Sequence, residues 1–208
     1  MAINNLYPIS KMLRGYVELY PNVNTSFRQT MGSTEEMRQQ LLNGEIDFCV
    51  SSPPIEGDNI ECIHLFSEEI YLIVPHGHKF SSRKNVDLIE AIDEPFISLK
   101  FGFGIRDLTE QLCMLAGFKP KILFESEVAL NLIDMVNYNM GIALLPILEW
   151  EDLPDRVPVP LHINHPKCSR ATALSYLNGH YLTHASRNFI NYQIKYFEAI
   201  REKSSRKY

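Results

Sequence analysis

The chain has 208 residues, 45% of them hydrophobic, and a formal net charge of -5 at pH 7. That is enough for one large domain or two lobes of ~100 residues each, and the acidic balance argues against this chain neutralising a phosphate backbone by itself. No apolar run approaches the ~18 residues of a membrane span, and no basic-then-apolar secretion signal opens the sequence, so it reads as cytoplasmic without membrane contact.

Asn4 or Asn5 can cap a first helix whose apolar stripe, Leu6, Ile9, Leu13, Tyr16, Val17 and Tyr20, runs to a stop at Pro21, with Pro8 tolerated in its opening turn. Val23, Thr25 and Phe27 alternate as a strand, and Gln29 to Gly32 turn the chain. Ser33 followed by Glu36 is a capping-box signature: the hydroxyl accepts from a first-turn amide and the carboxylate from the amide of Ser33. Met37 and Leu41, with Leu42 beside them, give that helix an apolar face, and Gly44 ends it. Ile46, Phe48, Cys49 and Val50 form a buried strand that ends in Ser51, Ser52, Pro53 and Pro54. One edge of an α/β layer therefore presents a helix start and a strand end, where open sheets bind small ligands.

Ile63 and Leu65 make a short strand and Ile70 to Val74 another. A second lobe follows: a small helix at Asp87 to Ile92, a strand at Phe96 to Leu99, a glycine-bearing loop at Phe101 to Gly104, and a helix with Ile105, Leu108, Leu112 and Leu115 stopped at Gly117. A strand at Ile122 to Phe124, a helix from about Glu127 to Met140 and a strand at Ile142 to Leu145 complete it. This alternation implies a largely parallel sheet. The proline-punctuated segment Pro154 to Pro166 reads as a return connection, and Ala171 to Leu177 re-enter the first lobe as a strand. After the Asn178-Gly179 turn, Thr183 caps a last helix that buries Phe189, Tyr192, Tyr196, Phe197 and Ile200, before a frayed charged tail at Arg201 to Lys207.

The run MGSTEEMRQQLLNGEIDFCVSS resembles the second helix and third strand of the effector-binding domain of LysR-type bacterial transcription regulators. Three further matches fall in the family's order: YVELYPNV at Tyr16 to Val23, IYLIVPHGHKF at Ile70 to Phe80, and GIALLP at Gly141 to Pro146. The resemblance implies a two-lobed, type 2 periplasmic-binding-protein-like α/β fold, two Rossmann-like lobes joined by a two-stranded hinge. The first lobe is then 1–75 plus 164–208, and the second 76–163. It implies a small-molecule effector in the cleft between lobes, an antiparallel pairing of lobes, and DNA contact only through an N-terminal winged helix-turn-helix outside this sequence. The stripes containing Tyr16, Tyr20, Leu130 and Ile133 are wider than one buried face needs, which with that pairing predicts a homodimer through the first helix and the Glu127 to Met140 helix. In the family a strand precedes the first helix, whereas this chain reads as beginning at the helix.

Metal and catalytic chemistry find little support. His76 and His78 lie two apart and His180 and His184 four apart, but Thr183 divides the second pair and no Cys or carboxylate completes a zinc-like spacing. Cys49, Cys62, Cys113 and Cys168 contain no C-x-x-C pair and read as reduced. The loop FGFG lacks the third glycine and downstream acid of a dinucleotide site, so no cofactor is expected.

Helix starts near Ser33, Gly104 and Ser126 carry partial positive charge and favour an organic anion, and Arg106 adds a fork suited to a carboxylate. The candidate contacts are Gly32, Ser33, Thr34, Ser51 and Ser52 in the first lobe, and Phe101, Gly102, Phe103, Arg106 and Ser126 in the second. Each also has a structural reading: the serines as caps or turns, the phenylalanines as core, the arginine as a solvated helix residue. Two other functions stay open, a transporter's solute-binding protein and an enzyme on the same fold such as a prephenate dehydratase or porphobilinogen deaminase, although no acid/base constellation supports the enzyme.

Overall fold

A computed structural model describes residues 2–4, 10–23, 28–29, 33–147 and 157–205, with side chains for 10–23, 33–147 and 157–199. In chain order the elements are β1 (Ala2–Asn4), α1 (Ser10–Leu19), β2 (Arg28–Gln29), α2 (Thr34–Leu42), β3 (Phe48–Ser51), β4 (Ile60–Glu69), β5 (Tyr71–Val74), β6 (Asn85–Val86), a short 3-10 helix (Leu88–Ala91), β7 (Pro95–Leu99), α3 (Gly104–Leu115), β8 (Lys121–Ser126), α4 (Ala129–Asn137), β9 (Ala143–Leu145), β10 (Val159–Ile163), β11 (Ser169–Leu177) and α5 (His184–Ser205). They form two compact units, Met1–Ser67 with Ala171–Tyr208, and Glu68–Arg170. Among the described residues no helix is long and apolar enough to cross a membrane.

The first unit holds a five-stranded sheet in the order β2-β1-β3-β11-β4. The strand that the sequence reading omitted is present: β1 pairs in parallel with β2 and β3, Ala2 lying opposite Arg28 and Cys49. Three residues are too few for an alternating pattern, and the partners of β1 lie far along the chain. Asn4 therefore belongs to a strand rather than a helix cap. Asn5, Leu6, Pro8, Ile9, Thr25 and Phe27 lie outside the described residues, as does most of the strand expected at Val23 to Phe27; a described strand lies at Arg28–Gln29.

Met12 and Tyr16 of α1 are buried at 1% exposure, and the Tyr16 ring meets Phe189 of α5 edge-on at 4.5 Å. Tyr16 thus belongs to the unit's own core, with Phe48, Val50, Leu65, Leu174 and Phe197, and is not free for the dimer face expected of it. Full burial of such side chains contributes about 1.5–3 kcal/mol each. A smaller cluster under α2 contains Met37, Leu41, Cys49 and Ile55, as the apolar face of that helix predicts, while Leu42 is exposed. Thr183 Oγ1 accepts from the Ser186 amide at 3.1 Å and so caps α5. That helix runs through Ser205, so most of the tail expected to fray is helical.

The second unit is largely parallel, as the alternation implies: among its described strands β6, β10, β9, β7 and β8 run one way and β5 runs against them. Its sheet has the order β6-β10-β5-β9, with β5 antiparallel to both β10 and β9 and β10 parallel to β6. The parallel pair β7 and β8 joins it through Ile142, which accepts from the Ile97 amide at 2.7 Å and donates to Pro95 O at 2.9 Å. The reversed strand is β5, and part of the proline-bearing return segment is itself a strand, β10. Pro160 is tolerated there because β6 pairs only with His162 and Ile163, so at Pro160 the strand is still an edge.

Candidate functional site

In the first unit the capping box forms as the sequence predicts. Glu36 N donates to Ser33 Oγ at 3.1 Å and Ser33 N to Glu36 Oε2 at 2.7 Å. Other first-turn amides are left for solvent or a ligand. Thr34, the first helical residue, has a buried Oγ1 with no hydrogen-bond partner among the described residues. The same is true of Ser51 at the end of β3, where the residue is 1% exposed. Leaving such hydroxyls unpaired costs about 1–3 kcal/mol each, so a helix start and a strand end both carry hydroxyls that would gain from a hydrogen-bonding ligand. Ser52 is committed elsewhere, its Oγ donating to Ala171 O at 2.8 Å. Gly32 lies outside the described residues.

In the second unit the loop after β7 reaches α3 through Gly102, whose φ of 86° is a left-handed conformation that glycine adopts without strain. Burial raises the pKa of Asp107, opposed by a hydrogen bond from the Gly102 amide. The two aromatic candidates separate. Phe103 is the α3 N-cap residue and is buried, whereas Phe101 is 73% exposed. Ser126, at the end of β8, accepts from Val128 N at 3.0 Å and Asn131 Nδ2 at 3.2 Å, and so acts as a local cap before α4.

Arg106 departs from its expected role. Its guanidinium, 11% exposed, pairs with Glu110 at 2.8 Å and with Glu125 of β8. Two carboxylates already occupy the fork, so a ligand carboxylate would have to displace one of them.

Two features gave no clear sequence signal. Ser98 of β7 is fully buried with an Oγ that has no partner among the described residues, and a lone serine inside a strand reads as structural. A cavity of about 580 Å³ in the second unit is lined by His76, His78, Lys79, Glu94 and Asn139, among others. There, burial opposes ionisation of Glu94, but Lys79 at 2.5 Å and His78 at 3.3 Å more than offset it and hold the carboxyl below its usual pKa. His78 Nδ1 accepts from the Phe80 amide, which leaves Nε2–H to donate to Glu94. The polar groups of this cavity thus largely satisfy one another. Among the described residues no three His, Cys, Asp or Glu side chains gather as a metal site.

Two α/β units, with the chain passing twice between them on the neighbouring strands β4 and β11, define a type 2 periplasmic-binding-protein-like ligand-binding domain. A profile of the LysR substrate binding domain matches residues 4–197, and the chain belongs to that family. The HTH-type transcriptional regulator YybE of Bacillus subtilis (strain 168) is 28% identical over 189 residues, covering 91% of this chain and 63% of that protein. The chain therefore spans less than two thirds of that relative. Two solved structures share the fold. The effector-binding domain of QuiR in complex with shikimate has a TM-score of 0.82 at 24% identity, covering 95% of each chain. The regulatory domain of CcmR from Synechocystis PCC6803 in complex with 2-PG has a TM-score of 0.84 at 20% identity, covering 94% of each. Family membership favours the effector-binding domain of a transcription regulator over the transporter and enzyme alternatives.

Proposed function

We propose that this chain senses a small organic anion and passes its occupancy to a DNA-binding helix-turn-helix segment elsewhere in the whole protein, by favouring one of two conformations. The observation that carries the ligand contacts is the pair of buried hydroxyls on Thr34 and Ser51, at the start of α2 and the end of β3, which have no partner among the described residues. A carboxylate ligand would accept from both and from the first-turn amides of α2, whose partial positive charge favours an anion. In the second unit Phe101, the Gly102 loop and Ser126 form a candidate set of their own, with an exposed Phe101 ring. Arg106 then acts as a structural tie between α3 and β8. The shikimate and 2-PG bound by the two relatives of like fold support a small-molecule effector. A homodimer fits the exposed apolar residues Val17 and Leu19 on α1 and Leu130 on α4.

The test is a thermal-shift screen of amino acids, oxo acids and aromatic acids, since a ligand specific for the native state raises the melting midpoint by mass action. Calorimetric titration of the hit into Ser51→Ala should then show affinity reduced about tenfold to more than a hundredfold. Unchanged affinity in both Ser51→Ala and Thr34→Val would place the effector elsewhere.

A further inference from the structure

The first unit contains a second concavity, remote from Thr34 and Ser51. It lies where β4, β11 and the start of α5 come together, and its volume is about 350 Å³. Ile63, Leu182 and Ile190 give it an apolar lining, and Tyr176, His180 and Arg187 place polar groups around that lining. The sheet register separates it from the effector residues. Tyr176 lies opposite Phe48, at the start of β3, while Ala173 lies opposite Ser51, at its end. Three residues of strand are roughly 10 Å, so the two sites sit at opposite ends of the same strand.

Its chemistry is also different. Arg187 has no ion pair among the described residues, and no carboxylate lines the cavity, in a chain that is acidic overall. Asp47 is engaged by Ser186, whose Oγ donates to it at 3.0 Å. The side chains of Tyr176 and His180 likewise have no hydrogen-bond partner among the described residues. An unpaired guanidinium is a fork for a carboxylate, the tyrosine hydroxyl is a second donor, and the apolar lining asks for an apolar body. A volume of this size suits a small molecule rather than a folded partner.

We propose that this groove is a second small-molecule site, which takes a monocarboxylate with a compact apolar or aromatic body, its carboxylate on Arg187 and Tyr176. It is independent of the effector contacts assigned above. The probe is phenylacetate, titrated into the isotope-labelled 208-residue chain and followed by amide NMR shifts, with phenylacetamide as the uncharged control. Saturable shifts at His180, Arg187 and Ile190 are expected, with phenylacetamide weaker by about tenfold or more, as loss of a charge-assisted pair requires. Arg187→Gln should weaken phenylacetate by a similar factor, while Ser51→Ala leaves it unchanged. Arg187 is exposed, so its variant should keep the native spectrum; if it does not, Tyr176→Phe carries the test and should weaken binding severalfold. The proposal is overturned by absence of saturable shifts, by shifts confined to Ser33 and Ser51, by equal binding of the amide, or by full affinity in the folded variant. A failed effector screen with a positive result here would count against the effector reading alone.

Discussion

Glu68 and Arg170 are the first and last residues of the second unit, and they meet as a buried ion pair, Arg170 Nε donating to Glu68 Oε1 at 2.6 Å. Their side chains are 2% and 7% exposed. Burial pushes the Glu68 carboxyl above its ordinary 4.5, and the pull of Arg170 only partly opposes this. Arg170→Met strands a buried carboxylate and should cost on the order of 3–5 kcal/mol at neutral pH. The sign follows from linkage: an acid whose native pKa is raised destabilises as pH climbs through that value, and the penalty vanishes below the unfolded pKa. Urea unfolding of the variant and parent should therefore diverge most near pH 7 and converge towards pH 4.5. A pH-independent difference would mean that lost packing, not charge, dominates.

Ser51→Ala should act in opposite directions on stability and binding. With no ligand, it removes a buried unpaired hydroxyl and relieves a penalty of about 1–3 kcal/mol, so the melting midpoint should hold or rise. With the effector present, the gain in midpoint should shrink. A marked fall of the ligand-free midpoint would show that the hydroxyl is a structural hydrogen-bonding group.

Gly141 stands where β9 meets β7. A Cβ there would lie 2.5 Å from Pro95 O and 3.2 Å from Ile97 Cδ1, and Pro95 O is the acceptor for the Ile142 amide. Gly141→Ala must push these strands apart and should cost about 1–3 kcal/mol, read from chemical denaturation. An unchanged midpoint would show that the joint between the strands is loose.

Cysteine reactivity should divide one against three. Burial pushes the thiols of Cys49, Cys113 and Cys168 up to about 12, while Cys62 is only half-buried. A thiol-specific chromogenic reagent at pH 8 should find one fast group in the native chain and four in denaturant. Labelling of Cys49 as fast as Cys62 would contradict the packing beneath α2.

What could be read in advance was local. The Ser33–Glu36 box, the Gly104 helix start and the Thr183 cap rest on residues within three or four positions of each other, and they formed as read. The misses depended on distant partners. β1 exists because β3 lies beside it, β10 accommodates Pro160 because β6 is too short to reach it, and Arg106 is neutralised by Glu125 from the next strand. The candidate site was legible as a set of hydroxyls. Which ones stay unpaired depended on the fold: Ser52 found Ala171 O and Ser126 found two amide donors, while Ser51 found none among the described residues.

The order β2-β1-β3-β11-β4 has a consequence during synthesis. All of the second unit has been made once Arg170 leaves the ribosome, but β11 must still slot between β3 and β4 of the first. Until then the first sheet is split in two, and the aromatic face of α1 lacks α5 to cover it. The second unit can mature on the nascent chain, whereas the first is assembled only as the C-terminal residues emerge. A premature stop between Arg170 and the start of α5 thus spares one unit and disables the other, and the surviving fragment would display Tyr16, Phe48 and Phe66 to whatever chaperone meets it.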